Sequence, residues 1–152
     1  MILPKASIFD MDGTLCDVSG IRHLLNGPGR FHAFHMASVD CPPHQWVVED
    51  ARRDAANGLA VLIVTAREAD PLYRHVTAWW LALNGVPSEA MWMRKRHDQR
   101  PDAEVKAEIL RKILARYDVV KAHEDQPKIA AVWESAGIPV SMVPGWDPAA
   151  AA

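Results

Sequence analysis

Five short apolar runs recur along this chain at intervals that amphipathic stretches fill: KASIF (5–9), LAVLIVT (59–65), AMWM (90–93), VVKAH (119–123) and PVSMV (139–143). Several lack a polar residue at every second position, as strands covered on both faces do. Between them, HQWVVEDARRDAAN (44–57), PLYRHVTAWWLALN (71–84) and QPKIAAVWESA (126–136) each stop before a glycine: Gly58, Gly85 and Gly137. That is the pattern of a helix with a glycine stop. In PDAEVKAEILRKILARY (101–117), Val105, Ile109, Ile113 and Tyr117 fall four apart and make one apolar stripe. Strand alternating with helix predicts an α/β fold, with a central parallel sheet of about five strands and helices on both faces.

Residues 16–43 break the rhythm. They form a long connection dense in Gly, His and Phe, too short for a second domain, and are expected to make a flap over the strand ends. The 152 residues therefore read as a single domain, with 16–43 as flap and 147–152 as a frayed Pro/Gly-flanked end. Net charge is −2, which excludes global attraction to nucleic acid or an anionic membrane and leaves only local patches for such binding. Cys16 and Cys41 fit no metal or redox spacing. With an N-terminus that meets charge early and has no long apolar core, the expectation is a soluble, cytoplasmic chain that does not engage membranes.

In open α/β sheets, ligands bind beyond the carboxyl ends of the strands. Polar residues gather at those ends here. The first run ends in Asp10-Met11-Asp12-Gly13-Thr14 and the second in Thr65-Ala66-Arg67; Lys106 stands near the start of the 101–117 helix, and the fourth run ends in Glu124-Asp125. Two carboxylates at one strand mouth repel, and each loses hydration when partly buried. A cation relieves both costs.

Asp10-x-Asp12-Gly13-Thr14, then Thr65, Lys106 and Glu124-Asp125 in that order, resemble the four motifs of the haloacid dehalogenase (HAD) superfamily of aspartate-nucleophile phosphatases. VTARE (64–68), WWLALNGVPSEAMWMR (79–94), RPDAEVKAEIL (100–110) and AVWESAGIPV (131–140) are similar to the phosphatase domain of phage-type polynucleotide kinase-phosphatases, which remove 3′-phosphates from nucleic-acid ends. No GxxxxGK[ST] motif occurs, so the likeness extends to the phosphatase half alone. It implies a Rossmann-like HAD fold with a minimal cap and a Mg²⁺-dependent phosphomonoesterase. It also implies a phosphorylated nucleic-acid end or nucleotide as substrate, and a separate kinase or ligase as possible partner.

The resemblance also assigns roles. Asp10 is the nucleophile that forms an aspartyl-phosphate, and Asp12 the general acid and base. Mg²⁺ is held by Asp10, the Asp12 backbone carbonyl and Asp125, with Glu124 either ligating or holding a ligand in place. Thr65 and Lys106 hold phosphoryl oxygens, and Gly13 permits a turn whose N–H groups face the phosphate. Arg67 matches an arginine suited to bidentate phosphate contact. Asp102 lies one helical turn before Lys106, close enough to pair with it. Arg22 stands one residue out of register with another functional arginine.

Other stretches keep two readings. RKRHDQR (94–100) suits either contact with a phosphate backbone or a charged loop before a helix. Phe31, His32, Phe34 and His35 suit either stacking on a base or sugar, or packing of the flap. Trp79 and Trp80 read as core and core-edge residues. A nucleotidase or small-molecule phosphatase, and a non-catalytic phosphate-binding module, are the rival functions.

Overall fold

In the computed structural model, residues 1–144 are described. The five runs form strands β1 (Lys5–Phe9), β2 (Ala60–Glu68), β3 (Ala90–Arg94), β4 (Asp118–Glu124) and β5 (Val140–Met142). They make one sheet in the order β3-β2-β1-β4-β5, every neighbouring pair parallel. Five helices connect them: α1 (Arg30–Ala37), α2 (Gln45–Ala56), α3 (Pro71–Leu83), α4 (Asp102–Leu114) and α5 (Pro127–Ser135). The expected tail at 147–152 lies outside the described residues. Among the described residues, no helix is long and apolar enough to cross a membrane.

The strands read as apolar without alternation because both faces are covered. Val61 and Ile63 of β2 pack into a cluster with Val47, Val48 and Ala51 of α2 and Trp80 and Leu81 of α3. Leu62 and Val64 point the other way, to Val105, Ile109 and Ile113 of α4 and Ile129 and Trp133 of α5. Period two sorts one strand into two cores. β1 does the same, with Phe9 in the first cluster and Ala6 and Ile8 in the second. β2 lies on one side of β1 and β4 on the other, and the connection from β1 to β2 packs on one face of the sheet while the crossover from β3 to β4 packs on the opposite face. A crevice opens where they part, beyond the carboxyl end of β1.

The 16–43 segment is more helical than its sequence suggests. It holds a 3-10 helix (Ser19–Asn26) and α1, separated by Gly27-Pro28-Gly29. Neither helix carries a side-chain N-cap, and α1 (RFHAFHMA) shows no polar face, so the usual start signals are missing. What holds α1 is tertiary: Phe34, 3 % exposed, enters the first core cluster. The far end of the flap is stitched down as well. The Trp80 indole N–H donates to the Cys41 carbonyl at 2.9 Å, Asp17 N–H to the Pro42 carbonyl at 2.9 Å, and His44 Nδ1 lies 2.8 Å from the Thr14 carbonyl. Trp80 is core, as expected, but Trp79 is 55 % exposed and not at the core edge, since α3 turns it away from the sheet.

Trp80→Phe keeps an aromatic ring in the core but leaves the Cys41 carbonyl without its donor. The expected outcome in urea denaturation is a loss of about 1–3 kcal/mol of stability with an unchanged m-value.

Candidate active site

Asp10 follows β1 directly and is still held by the sheet, its N–H donating to the His123 carbonyl of β4 at 3.2 Å. The chain then turns through Gly13 at φ 83°, left-handed backbone that side chains disfavour. The Gly13 N–H donates to the Cys16 carbonyl at 2.9 Å, so in this structure the residue supplies the turn, and its own N–H is committed inside the loop. That turn brings Thr14 back beneath Asp10. The Thr14 hydroxyl lies 3.0 Å from Asp10 Oδ2 and 3.1 Å from Asp125 Oδ1.

Lys106 enters from α4. Its Nζ donates to Asp10 Oδ1 at 2.7 Å and to Glu124 Oε2 at 3.2 Å, with only 3 % of the side chain exposed. Glu124 is fully buried, and its other oxygen accepts from the N–H groups of Asp125 (3.2 Å) and Gln126 (3.3 Å). Both Glu124 oxygens are thus engaged. Asp125 differs: its Oδ2 is buried with no hydrogen-bond partner.

Asp10, Glu124 and Asp125 each offer an oxygen within 4.8 Å of the others. Ionised together, three carboxylates and one ammonium leave two negative charges in a buried space. Burial, then the Glu124 charge, push the Asp10 carboxyl above the usual range despite Lys106. Burial and the charge on Asp10 raise Asp125 further. Burial disfavours the Lys106 ammonium, but Asp10 and Glu124 more than compensate and keep it charged. The Thr14 hydroxyl has one proton for two carboxylates, so it cannot donate to both. An oxygen-seeking divalent cation fits this donor set: hard carboxylates, one unpartnered buried oxygen, and charge in need of compensation. His32 and His44 are engaged elsewhere, His32 with the Tyr73 hydroxyl and His44 with the Thr14 carbonyl.

Asp12 stands on the other side of the turn, gripped by Arg67. The guanidinium donates to both carboxylate oxygens, with Nε to Oδ2 at 2.9 Å. Burial opposes the anion, yet the Arg67 charge and hydrogen bonds hold the Asp12 carboxyl below its ordinary range. Arg67, itself 2 % exposed, also donates to Thr77 Oγ1 (3.0 Å) and Ser38 Oγ (2.9 Å). Those hydroxyls give their own protons to the Tyr73 and His35 carbonyls, which makes them acceptors for the arginine. In this structure the fork therefore engages Asp12 and does not stand open toward a ligand. Thr65 is buried and accepts the Arg67 N–H at 3.2 Å, and no described residue takes its hydroxyl proton.

Asp10, Asp12, Thr65, Arg67, Asp102 and Lys106 line one cavity of about 720 Å³, with flap residues as its opposite wall. Glu124 and Asp125 lie beneath it, and Arg22, on the 3-10 helix, is not among its lining residues. The expected Asp102–Lys106 pair does not form. Lys106 is drawn to the two buried carboxylates, and Asp102 pairs with Arg94 instead. Arg94 also donates to the carbonyls of Ala66, Asp98 and Arg100, pinning the loop that borders the cavity. Lys95 pairs with Glu108, Arg96 with Asp70, and Arg100 with Asp98 and Glu108. Each arginine and lysine of the 94–100 run therefore has a carboxylate partner, most of them outside the run, and the loop is not an open phosphate track. Sequence reasoning missed Thr14, Ser38, Thr77 and the role of Arg94. Thr14 alone carried a signal, as the residue that closes the Asp-x-Asp-Gly turn.

A family model described as the polynucleotide kinase PNKP phosphatase domain matches residues 4–145. Among solved structures, a chain of a Pnkp1/Rnl/Hen1 complex is similar at 28 % identity and a TM-score of 0.77 over 93 % of this chain. That covers 46 % of the other chain, so the present chain spans less than half of it. A class C acid phosphatase from Bacillus anthracis with tungstate bound shares the fold at 13 % identity, TM-score 0.73, over 96 % of this chain and 69 % of that one. A phosphoserine phosphatase solved as a phospho-aspartyl intermediate analogue does so at 12 % identity, TM-score 0.59, over 93 % and 87 %.

Adding a divalent cation to chelator-treated protein is expected to raise Tm. With the cation roughly a hundred-fold above its Kd, the stabilisation is about 2–3 kcal/mol. Protons compete for the same oxygens, so the increment grows as pH rises through about 6, to which burial and the Glu124 charge push the Asp10 carboxyl. Asp125→Asn is expected to abolish it, as read by differential scanning fluorimetry.

Proposed function

Since the chain belongs to the family of PNKP phosphatase domains, we propose that it is a Mg²⁺-dependent phosphomonoesterase that removes 3′-phosphates from nucleic-acid ends through an aspartyl-phosphate on Asp10. The observation that carries this reading is the buried Asp10 carboxylate, held by Lys106 and Thr14 at the floor of the cavity, with Asp12 two residues on. The fold is that of HAD phosphatases, and the enzyme class is a phosphatase.

A phosphate monoester is anionic and repels an anionic attacker, so the site must compensate charge and fix geometry. Magnesium, held by Asp10, the Asp12 backbone carbonyl and Asp125, would supply charge compensation for both the phosphate and the carboxylates. An Asp10 oxygen bonds phosphorus while the ester P–O bond breaks; Asp12 enters this step protonated, gives that proton to the leaving alkoxide and becomes the carboxylate that Arg67 stabilises. In the second half Asp12 accepts a proton from water, whose oxygen attacks phosphorus and frees Asp10 with release of phosphate. Arg67 fixes the Asp12 carboxylate and favours its anionic, proton-accepting form. Lys106 and the Thr65 hydroxyl hold the non-bridging oxygens. Glu124 keeps Lys106 and the 124–126 turn in place. Arg67 and Asp102 from the cavity wall and Gly13 through the turn complete the candidate set, and Arg22, on the 3-10 helix outside the cavity lining, has no part in this scheme.

The substrate rests on the family match and on a cap no larger than the 16–43 flap, which leaves room for a polymer end. One similar solved structure is an RNA repair complex, and a separate kinase or ligase acting on the same ends is the partner class that suits this reading. The neutralised 94–100 loop favours a second reading, a nucleotidase or small-phosphoester phosphatase with the same catalytic residues. Asp10→Asn is expected to cut magnesium-dependent phosphate release roughly 10³-fold or more. Equal inertness of both proteins would leave a binding module. Release from a 3′-phosphorylated oligonucleotide is expected to exceed release from nucleoside 3′- and 5′-monophosphates; the reverse order selects the nucleotidase.

A further inference from the structure

Opposite the acidic floor, the wall of the cavity is aromatic. It is formed by α1 of the flap, with Phe31, Phe34 and His35, and by Tyr73 of α3. Three of these have structural employment. Phe34 is buried in the core, His35 is 7 % exposed and set edge-on to Tyr73 at 4.9 Å, and the Tyr73 hydroxyl bonds His32. Phe31 does not. It lines the cavity yet is 58 % exposed, in offset contact with His35 at 6.5 Å and 22° between rings. Burying a benzyl group is favourable, and a helix already anchored by Phe34 one turn on gives Phe31 no packing role.

Its neighbour sharpens the point. The Arg30 guanidinium sits over the Phe31 ring, 4.8 Å from the centroid. Arg30 also lines the cavity, and among the described residues no carboxylate pairs with it. This sets it apart from the lysine and arginines of the 94–100 loop, each of which has a carboxylate within ion-pair distance. An exposed ring and an uncommitted guanidinium side by side, facing a phosphate-accepting floor, match the two chemistries of a nucleotide: a planar base and an anionic backbone.

We propose that Phe31 and Arg30 form a nucleoside subsite for the residue bearing the scissile phosphate. The base stacks on the Phe31 face that the guanidinium covers, and Arg30, displaced from the ring, meets the adjoining phosphodiester. The proposal deepens the phosphatase reading and rests on it. It assigns the flap a part in choosing substrates, whereas the floor performs the chemistry.

The test compares kcat/KM for matched substrates with and without a terminal base: a 3′-phosphorylated oligonucleotide against the same strand ending in an abasic residue, and a nucleoside 3′-monophosphate against ribose 3-phosphate. Wild type is expected to favour the base-bearing member roughly five- to hundred-fold. Phe31→Ala brings the ratio toward one, chiefly through KM, and Phe31→Trp restores it. The same ratio in wild type and Phe31→Ala overturns the proposal. Turnover of nucleotides without turnover of oligonucleotides defeats the end-processing reading while leaving the stacking ratio measurable. A binding arm needs no turnover: in an Asp10→Asn background, a 3′-terminal 2-aminopurine is quenched on binding, and quenching is lost with Phe31→Ala. Binding without quenching, or no binding, overturns the proposal equally.

Discussion

One ammonium organises this molecule. Lys106 reaches from α4 to bond Asp10 at the end of β1 and Glu124 at the end of β4, so a single buried cation ties three elements at the sheet's centre. Taking charges out of water is costly, and such a triad stands only if its lone pairs and protons are nearly all engaged. Here Lys106 donates to both carboxylates and both Glu124 oxygens are engaged, whereas Asp125 Oδ2 beside them is buried without a partner. The rest of the fold supports that arrangement. The two faces of the sheet bury enough apolar surface to carry a charge-rich floor, and β1 lies between β2 and β4, where connections diverge and leave an opening.

A second buried pair, Arg67 with Asp12, is built on a different plan. Arg67 spends its donors on a carboxylate and two hydroxyls that belong to β1's turn, α3 and the flap base. The floor of the cavity is thus fixed twice, once through the lysine from the α4 side and once through the arginine from the α3 side. The two grips differ in consequence. Lys106 balances charge that the site generates, whereas Arg67 fixes where one carboxylate sits and which protonation form it prefers.

The sheet and four of the helices were legible in the sequence because period and glycine stops carried them. The exceptions are physical. β2 runs on to Glu68, beyond its apolar run, because its last residues keep pairing with β3 across an irregular register. The helices of the flap carry no side-chain cap, and α1 has no polar face either, so its signal is tertiary: Phe34 anchors it in the core. Asp10, Thr65 and Lys106 line one cavity, which their places at strand ends and a helix start allow the sequence to anticipate. Partnerships were harder. Helical spacing matched Lys106 with Asp102, but spacing cannot see two carboxylates arriving from other strands. The 94–100 run looked basic in one dimension because Asp70 and Glu108, which neutralise it, are distant along the chain.

The flap is joined to the body at its base, through Cys41, Pro42 and Ser38, and contributes no strand to the sheet. A segment grafted in this way is free to diverge. Phe34 apart, which is buried in the core, its cavity-facing residues stand outside the hydrogen-bond ladder that aims Asp10, so preference and reaction can be altered separately. The same modularity makes the segment the natural target for redesign, and places Ser38, which touches Arg67, at the limit of what such grafts should replace.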